Sequence, residues 1–249
     1  ILINLNYAEA HYNLGILLKE LGELQKAISC YEKAILINLN YAEAHINLGV
    51  VFQQLGEPQK AISCYEKAIQ IKSNFENAYY NLGIAFEKLY EFKKAINYYE
   101  KAIEIEPNYV GAHYNLMEVC EKTNRITELK DAVSNARTFF KDNSIIKLYE
   151  GILLSRNEKF VEAKNCLKLI SFETNETNKE ILRVSTLAKC YDRIGDTDKA
   201  FDYFKTANLL TQKTKIKNFD KNKYLQEIKI RKEFFNKSKI EKWPTLQSY

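Results

Sequence analysis

Proline is scarce in this 249-residue chain, with three residues, and tryptophan and methionine scarcer still, with one each. Few prolines leave long helices uninterrupted, because a proline inside a helix removes a backbone donor and clashes with the preceding turn. Glycine is limited to eight residues: Gly15, Gly22, Gly49, Gly56, Gly83, Gly111, Gly151 and Gly195. They are too dispersed to form a phosphate cradle, a dinucleotide fingerprint or a nucleophile elbow, so nucleotide chemistry within these residues is not expected. No run approaches the roughly 20 apolar residues of a membrane span, and no membrane partner is expected. The five cysteines are odd in number and contain no Cys-x-x-Cys pair. That argues against a disulfide framework and for a reducing, cytoplasmic setting.

What the chain does have is apolar material and a period. It is 46% hydrophobic and 12% aromatic, with 17 tyrosines and 13 phenylalanines, enough for a continuous core. Its abundance of Asn, Lys and Ile fits an A/T-rich, bacterial genome. Self-comparison at a spacing of 34 residues brings the sequence into register with itself. Ala8-Glu9-Ala10-His11-Tyr12-Asn13-Leu14-Gly15 returns from Ala42, from Glu76 and, altered, from Val110. Lys26 to Ile35 recurs unchanged at Lys60 to Ile69 and slightly altered at Lys94 to Ile103. Within each unit the apolar positions follow the i, i+3, i+4, i+7 spacing of amphipathic helices. Gly15 and Ala27 are small where two antiparallel helices cross closely, Gly22 and Gly56 suit the turn between them, and Pro58 suits a first helical turn.

These residues resemble the tetratricopeptide repeat family. Its Leu-Gly, small, aromatic and alanine signature appears as Leu14, Gly15, Ala27, Tyr31 and Ala34, then as Leu48, Gly49, Ala61, Tyr65 and Ala68, then as Leu82, Gly83, Ala95, Tyr99 and Ala102. The resemblance implies an all-α fold, a right-handed superhelical solenoid of about six helical hairpins with C-terminal capping helices. Four units are expected at 8–41, 42–75, 76–109 and 110–143. Two divergent ones follow at 144–207, marked by Gly151, Leu154, Ala163 and Leu167 and by Leu187, Tyr191, Gly195, Ala200, Phe204 and Ala207, with a polar insertion at 171–178. Residues 208–249 are expected to form basic capping or connecting helices. Residues 1–7 repeat Ile35–Tyr41, the end of a second helix and its turn, which suggests a chain that begins inside a repeat.

His11, His45 and His113 share one repeat position, as do Cys30 and Cys64, and repeat-equivalent residues lie about a helix diameter (~10 Å) apart. Packing is expected of both sets, with no metal site, catalytic residue or cofactor in this chain. The pointed feature is the ladder Asn13, Asn47, Asn81 and Asn115. The family resemblance places it on the concave groove, beside Tyr12, Tyr80 and Tyr114. An amide donates and accepts, which suits an extended peptide backbone of any sequence; the other reading is that these amides satisfy neighbouring helices in the stack. A protein or peptide partner is the expectation, and the oligomeric state stays open.

A comparable asparagine ladder is found in the repeats of O-linked N-acetylglucosamine transferases, and that resemblance implies, as one alternative, the repeat arm of such an enzyme. The carboxylate clamp of chaperone-binding members is not met: Tyr12 and Ile16 hold two of its positions, Asn77 and Asn81 stand where Lys and Arg belong, and only Asn47 fits. Residues 195–208, with Phe234-Phe235 and Trp243-Pro244, are similar to the junction in bacterial repeat-containing sulfotransferases. That similarity implies a recruiting arm ahead of a domain using phosphoadenosine phosphosulfate (PAPS); without a catalytic domain the chain would be a stand-alone adaptor. From Lys205 to Lys242, twelve Lys/Arg face four Asp/Glu. The basic residues alternate with Ile216, Phe219, Tyr224, Leu225 and Ile228 as a packed cap requires, and nucleic acid is not the expected partner.

Overall fold

The computed structural model describes residues 2–216, with side chains from Tyr7 to Thr214. All regular structure among them is helical: α1 Leu2–Glu20, α2 Leu24–Ile37, α3 Ala42–Gln54, α4 Pro58–Ile71, α5 Glu76–Lys88, α6 Phe92–Ile105, α7 Val110–Lys122, α8 Ile126–Phe139, α9 Ser144–Arg156, α10 Phe160–Lys168, a 3-10 turn Thr174–Glu176, α11 Thr177–Ile194 and α12 Thr197–Ile216. The segment expected to cap the fold beyond Ile216, with Phe234-Phe235 and Trp243-Pro244, lies outside the described residues. The chain divides into two compact units, the first ending at Leu153 and the second starting at Leu154.

From α1 to α8 each odd helix packs against the even helix that follows, and α2, α4 and α6 each pack against the next odd one. The hairpin is held by a ring in a notch. Tyr31, Tyr65 and Tyr99 are fully buried. Each lies against the glycine of its own hairpin: a Cβ built on Gly49 would stand 2.5 Å from Tyr65 Cε1 and 2.9 Å from Cδ1, with Gly15 over Tyr31 and Gly83 over Tyr99 alike. Ala27, Ala61 and Ala95, and Ala34, Ala68 and Ala102, have no exposed surface, which lets the helices approach. The fourth hairpin reverses the order of small and large. Met117 stands at the glycine position and Val133 at the tyrosine position, and both are buried.

The turn between the two helices of every hairpin contains one left-handed residue. Gly22 and Gly56 (each φ 77°) and Gly195 (φ 87°) hold it as glycine should, but Tyr90 (φ 61°), Asn124 (φ 58°) and Glu158 (φ 61°) hold it in the other three. The positions are repeat-equivalent, so the geometry belongs to the fold and persists where the residue disfavours it. A left-handed L-residue costs roughly 1–2 kcal/mol. The ring of Tyr90 is 80% exposed, so its loss removes little packing. Tyr90→Gly is expected to raise stability by about 1 kcal/mol in denaturant unfolding, and a loss of stability would show that the ring holds the turn.

Residues 2–7 continue α1 without a break, whereas the identical sequence at 35–41 ends α2 at Ile37 and turns before α3. There Asn38 Oδ1 accepts a hydrogen bond from the Asn40 N–H, 3.2 Å, and Asn38 N–H donates to the Ala34 carbonyl, 2.9 Å. The heptapeptide lacks Pro and Gly, so its local preference allows either form and the packed neighbours decide. In the second unit α10 packs on α11 and α11 on α12. The polar stretch 171–178 holds three irregular residues, the 3-10 turn and the start of α11. Phe204 departs from the pattern: it is 49% exposed, unlike the buried tyrosines of the first three hairpins. Ala188, which is buried, stands at the glycine position there. Tyr203 instead stacks on Tyr191, with centroids 5.4 Å apart.

Candidate polypeptide-binding face

In the first unit α1, α3, α5 and α7 also approach one another directly, each touching the next odd helix across the hairpin boundary. Closer approach on that side makes the odd helices the inner layer, and their outward stripe is the face on which the predicted ladder stands. Along α3 this stripe carries Asn47, Val50 and Gln54; along α5 it carries Asn81, Ile84 and Lys88, in i, i+3, i+7 order.

The ladder is not uniform. Asn47 Nδ2 donates to the hydroxyl of Tyr12 at 2.8 Å, and Asn115 Nδ2 reaches the hydroxyls of Tyr80 and Tyr99 at 3.4 Å each. The Tyr114 hydroxyl accepts from Asn143 Nδ2 at 2.5 Å. The predicted tyrosines thus have their polar tips taken by the following hairpin, and two of the four amides serve as struts between hairpins. Asn81 makes no side-chain hydrogen bond among the described residues because Ile46 stands where Tyr12 and Tyr80 stand in the other hairpins. Asn13 is exposed and also makes none. The repeat-unit comparison exposes this difference: Asn47 and Asn115 have a tyrosine 35 residues earlier, whereas Asn81 has Ile46.

Aromatic pairs stiffen the same layer. Tyr12 packs on Tyr41 with centroids 4.9 Å apart, and Tyr80 meets Tyr109 edge-on at 5.0 Å. The Tyr109 hydroxyl donates to Asn77 Oδ1 at 2.8 Å. Burial holds the hydroxyls of Tyr12 and Tyr80 protonated beyond the usual phenol range, against the opposing pull of their asparagine bonds. Burial pushes Tyr31 and Tyr109 up to about 12. None of these phenols is prepared for acid–base work.

A second row lies beside the amides: Ile16, Val50 and Ile84, all half-buried, then Glu118, which is exposed. The clamp comparison that singles out Ile16 does not reveal this row, which emerges only from the positions of Val50 and Ile84 on α3 and α5. Glu87, the acceptor for the Tyr99 hydroxyl at 3.1 Å, is paired with Lys122 at 3.0 Å. Burial first, and then Glu118, Glu121 and Glu87, raise the pKa of the Tyr149 hydroxyl.

The remaining candidates are structural. His113 is buried against Phe139 and Phe140, with Nε2 2.8 Å from the Pro107 carbonyl, and burial lowers its pKa. His45 is lowered likewise by burial and by Lys67. None of the five cysteines forms a disulfide, and burial pushes Cys64 up to about 11 and Cys120 up to about 12, away from nucleophile chemistry. No group of three His, Cys, Asp or Glu side chains that could hold a metal occurs among the described residues. No described helix is long and apolar enough to cross a membrane.

Family comparison supports this architecture. Residues 6–74 match one tetratricopeptide repeat model and residues 76–109 another. Residues 6–109 carry tetratricopeptide repeats. No curated protein matches the chain. Among solved structures, the fold is similar to that of Pseudomonas aeruginosa PilF, with TM-score 0.66 at 20% identity over 86% of this chain and 98% of that one. A tetratricopeptide repeat protein from Parabacteroides merdae gives 0.67 at 15% identity, covering 94% and 96%. YrrB, described as a tetratricopeptide repeat protein with an unusual peptide-binding site, gives 0.53 at 20% identity, covering 78% and 90%. At these identities the likeness is one of fold.

Proposed function

We propose that the chain is a polypeptide-binding scaffold whose tetratricopeptide repeats hold an extended segment across the odd-helix face. The observation that carries this reading is the pairing, on the inner layer, of Asn13 and Asn81 amides that bond no other side chain among the described residues with the half-buried apolar row Ile16, Val50 and Ile84. Amides fix a backbone irrespective of its sequence, and an apolar row gives contact area. The YrrB likeness supports the same reading, since that protein is described as having a peptide-binding site on this fold.

The test is selection of a random displayed peptide library on the full chain, followed by hydrogen exchange with one selected peptide. Protection gained on α3 and α5 is the expected result. Protection confined to α4 and α6, or no selected peptide, would remove the reading. The sequence similarity at 195–208 favours a finer version, in which the scaffold is the recruiting arm of a PAPS-dependent sulfotransferase. The source gene read past Tyr249 tests it: a strand followed by a Pro-x-Arg-Ser-Gly-Thr loop is expected, and a stop codon there leaves an adaptor.

A further inference from the structure

The four members of the second row, Ile16, Val50, Ile84 and Glu118, occupy the same place on four successive odd helices, one per hairpin. Three are apolar and half-buried, and the fourth is an exposed carboxylate that forms no ion pair among the described residues. Lys122, one turn further along α7, sends its ammonium to Glu87 and meets Glu118 through charge alone, without an ion-pair contact. The row is therefore a linear pattern of three apolar seats and one anionic seat.

Its spacing restricts what can lie on it. Packed helices stand 8–10 Å apart. A polyproline-II chain rises about 3.1 Å per residue with three residues per turn, so its side chains return to the same side every ~9.3 Å. A β-strand returns every two residues, about 6.8 Å, and an α-helix rises about 5.4 Å per turn. Of the three, the polyproline-II period matches one seat per hairpin. The amides agree with such a ligand. A polyproline-II backbone leaves its carbonyls and N–H groups unpaired, and the free amides on this face, Asn13 and Asn81, belong to alternate hairpins, two turns apart.

Resting on the proposed polypeptide-binding role, we propose that the face selects a polyproline-II segment bearing an apolar side chain at every third position, three in succession, and a Lys or Arg three residues beyond the last. The apolar side chains lie over Ile16, Val50 and Ile84, and the cation meets Glu118. The backbone is held by Asn13 and Asn81, while Asn47 and Asn115 stay committed to Tyr12 and to Tyr80 and Tyr99.

The probes are three synthetic peptides measured by fluorescence anisotropy against the full chain. The first is Arg-Pro-Ser-Leu-Pro-Ser-Leu-Pro-Ser-Leu-Pro-Ser-Arg, with a cation at both ends so that either chain direction fills the Glu118 seat. The second carries Glu at both ends. The third has the composition of the first with leucines at every second position. The first is expected to bind about tenfold or more tightly than either of the others. Glu118→Lys is expected to reverse the preference between the Arg and Glu peptides, and Ile46→Tyr, by giving Asn81 a hydroxyl to bond, to weaken the first about threefold or more. Equal binding of the first and third peptides, or a charge preference unmoved by Glu118→Lys, overturns the inference while the polypeptide-binding role stands. Failure of all three to bind, together with an empty library selection, removes both.

Discussion

Gly49→Met is expected to cost about 1–3 kcal/mol, and a second substitution, Tyr65→Val, to return at least half of that loss. The first figure is the usual penalty of overpacking a well-filled core. It arises because a Cβ at Gly49 meets three ring atoms of Tyr65 at 3.0 Å or less. The ring cannot retreat: it is fully buried and its hydroxyl is fixed to Gln53 Oε1 at 2.9 Å. The rescue follows from the fourth hairpin, where Met117 and Val133 fill the two places with the sizes exchanged. Neither single substitution is neutral, since Tyr65→Val alone opens a cavity. Urea unfolding of the four proteins gives the coupling energy directly. Additive losses would mean that glycine and tyrosine do not share one space.

Much of this architecture can be read in the sequence because it is repeated. Leu82 and Tyr99 sit where the period places them, and both are fully buried. Leu14 carries the same signature and is 46% exposed, because α1 has a packed neighbour on one side only among the described residues. Burial here belongs to the stack and not to the residue. The left-handed turn was legible at Gly22 and Gly56 and hidden at Tyr90, Asn124 and Glu158, where tertiary packing imposes a backbone that the side chain disfavours.

The candidate site was legible in outline. A period locates which residues share a face, and Asn13, Asn47, Asn81 and Asn115 do share one. It does not say which polar groups that face leaves free. That depends on a partner in the next hairpin: the Tyr12 hydroxyl lies close enough to occupy Asn47, and the Ile46 side chain has no hydroxyl to offer Asn81. Tyrosines read as ligand contacts proved to have their hydroxyls engaged between hairpins. The departures from the repeat, Ile46 and Glu118, carry more information about recognition than its conserved-looking rows of identical residues.

The most direct test of the central claim, that the odd-helix face holds the partner, is the affinity of a library-selected peptide for Ile84→Asp. Ile84 is half-buried in the middle of the apolar row, so a carboxylate there removes an apolar seat and must be desolvated when the ligand covers it. The expected loss is about 30-fold or more, equivalent to ~2 kcal/mol. Lys67→Asp, an exposed position on the even helix α4, introduces the same carboxylate on the other side of the hairpin. Thermal melting of both variants establishes that they remain folded. The account predicts that Ile84→Asp loses the peptide and Lys67→Asp keeps it within about threefold, less than 1 kcal/mol. A folded Ile84→Asp protein that binds as tightly as the parent would contradict it.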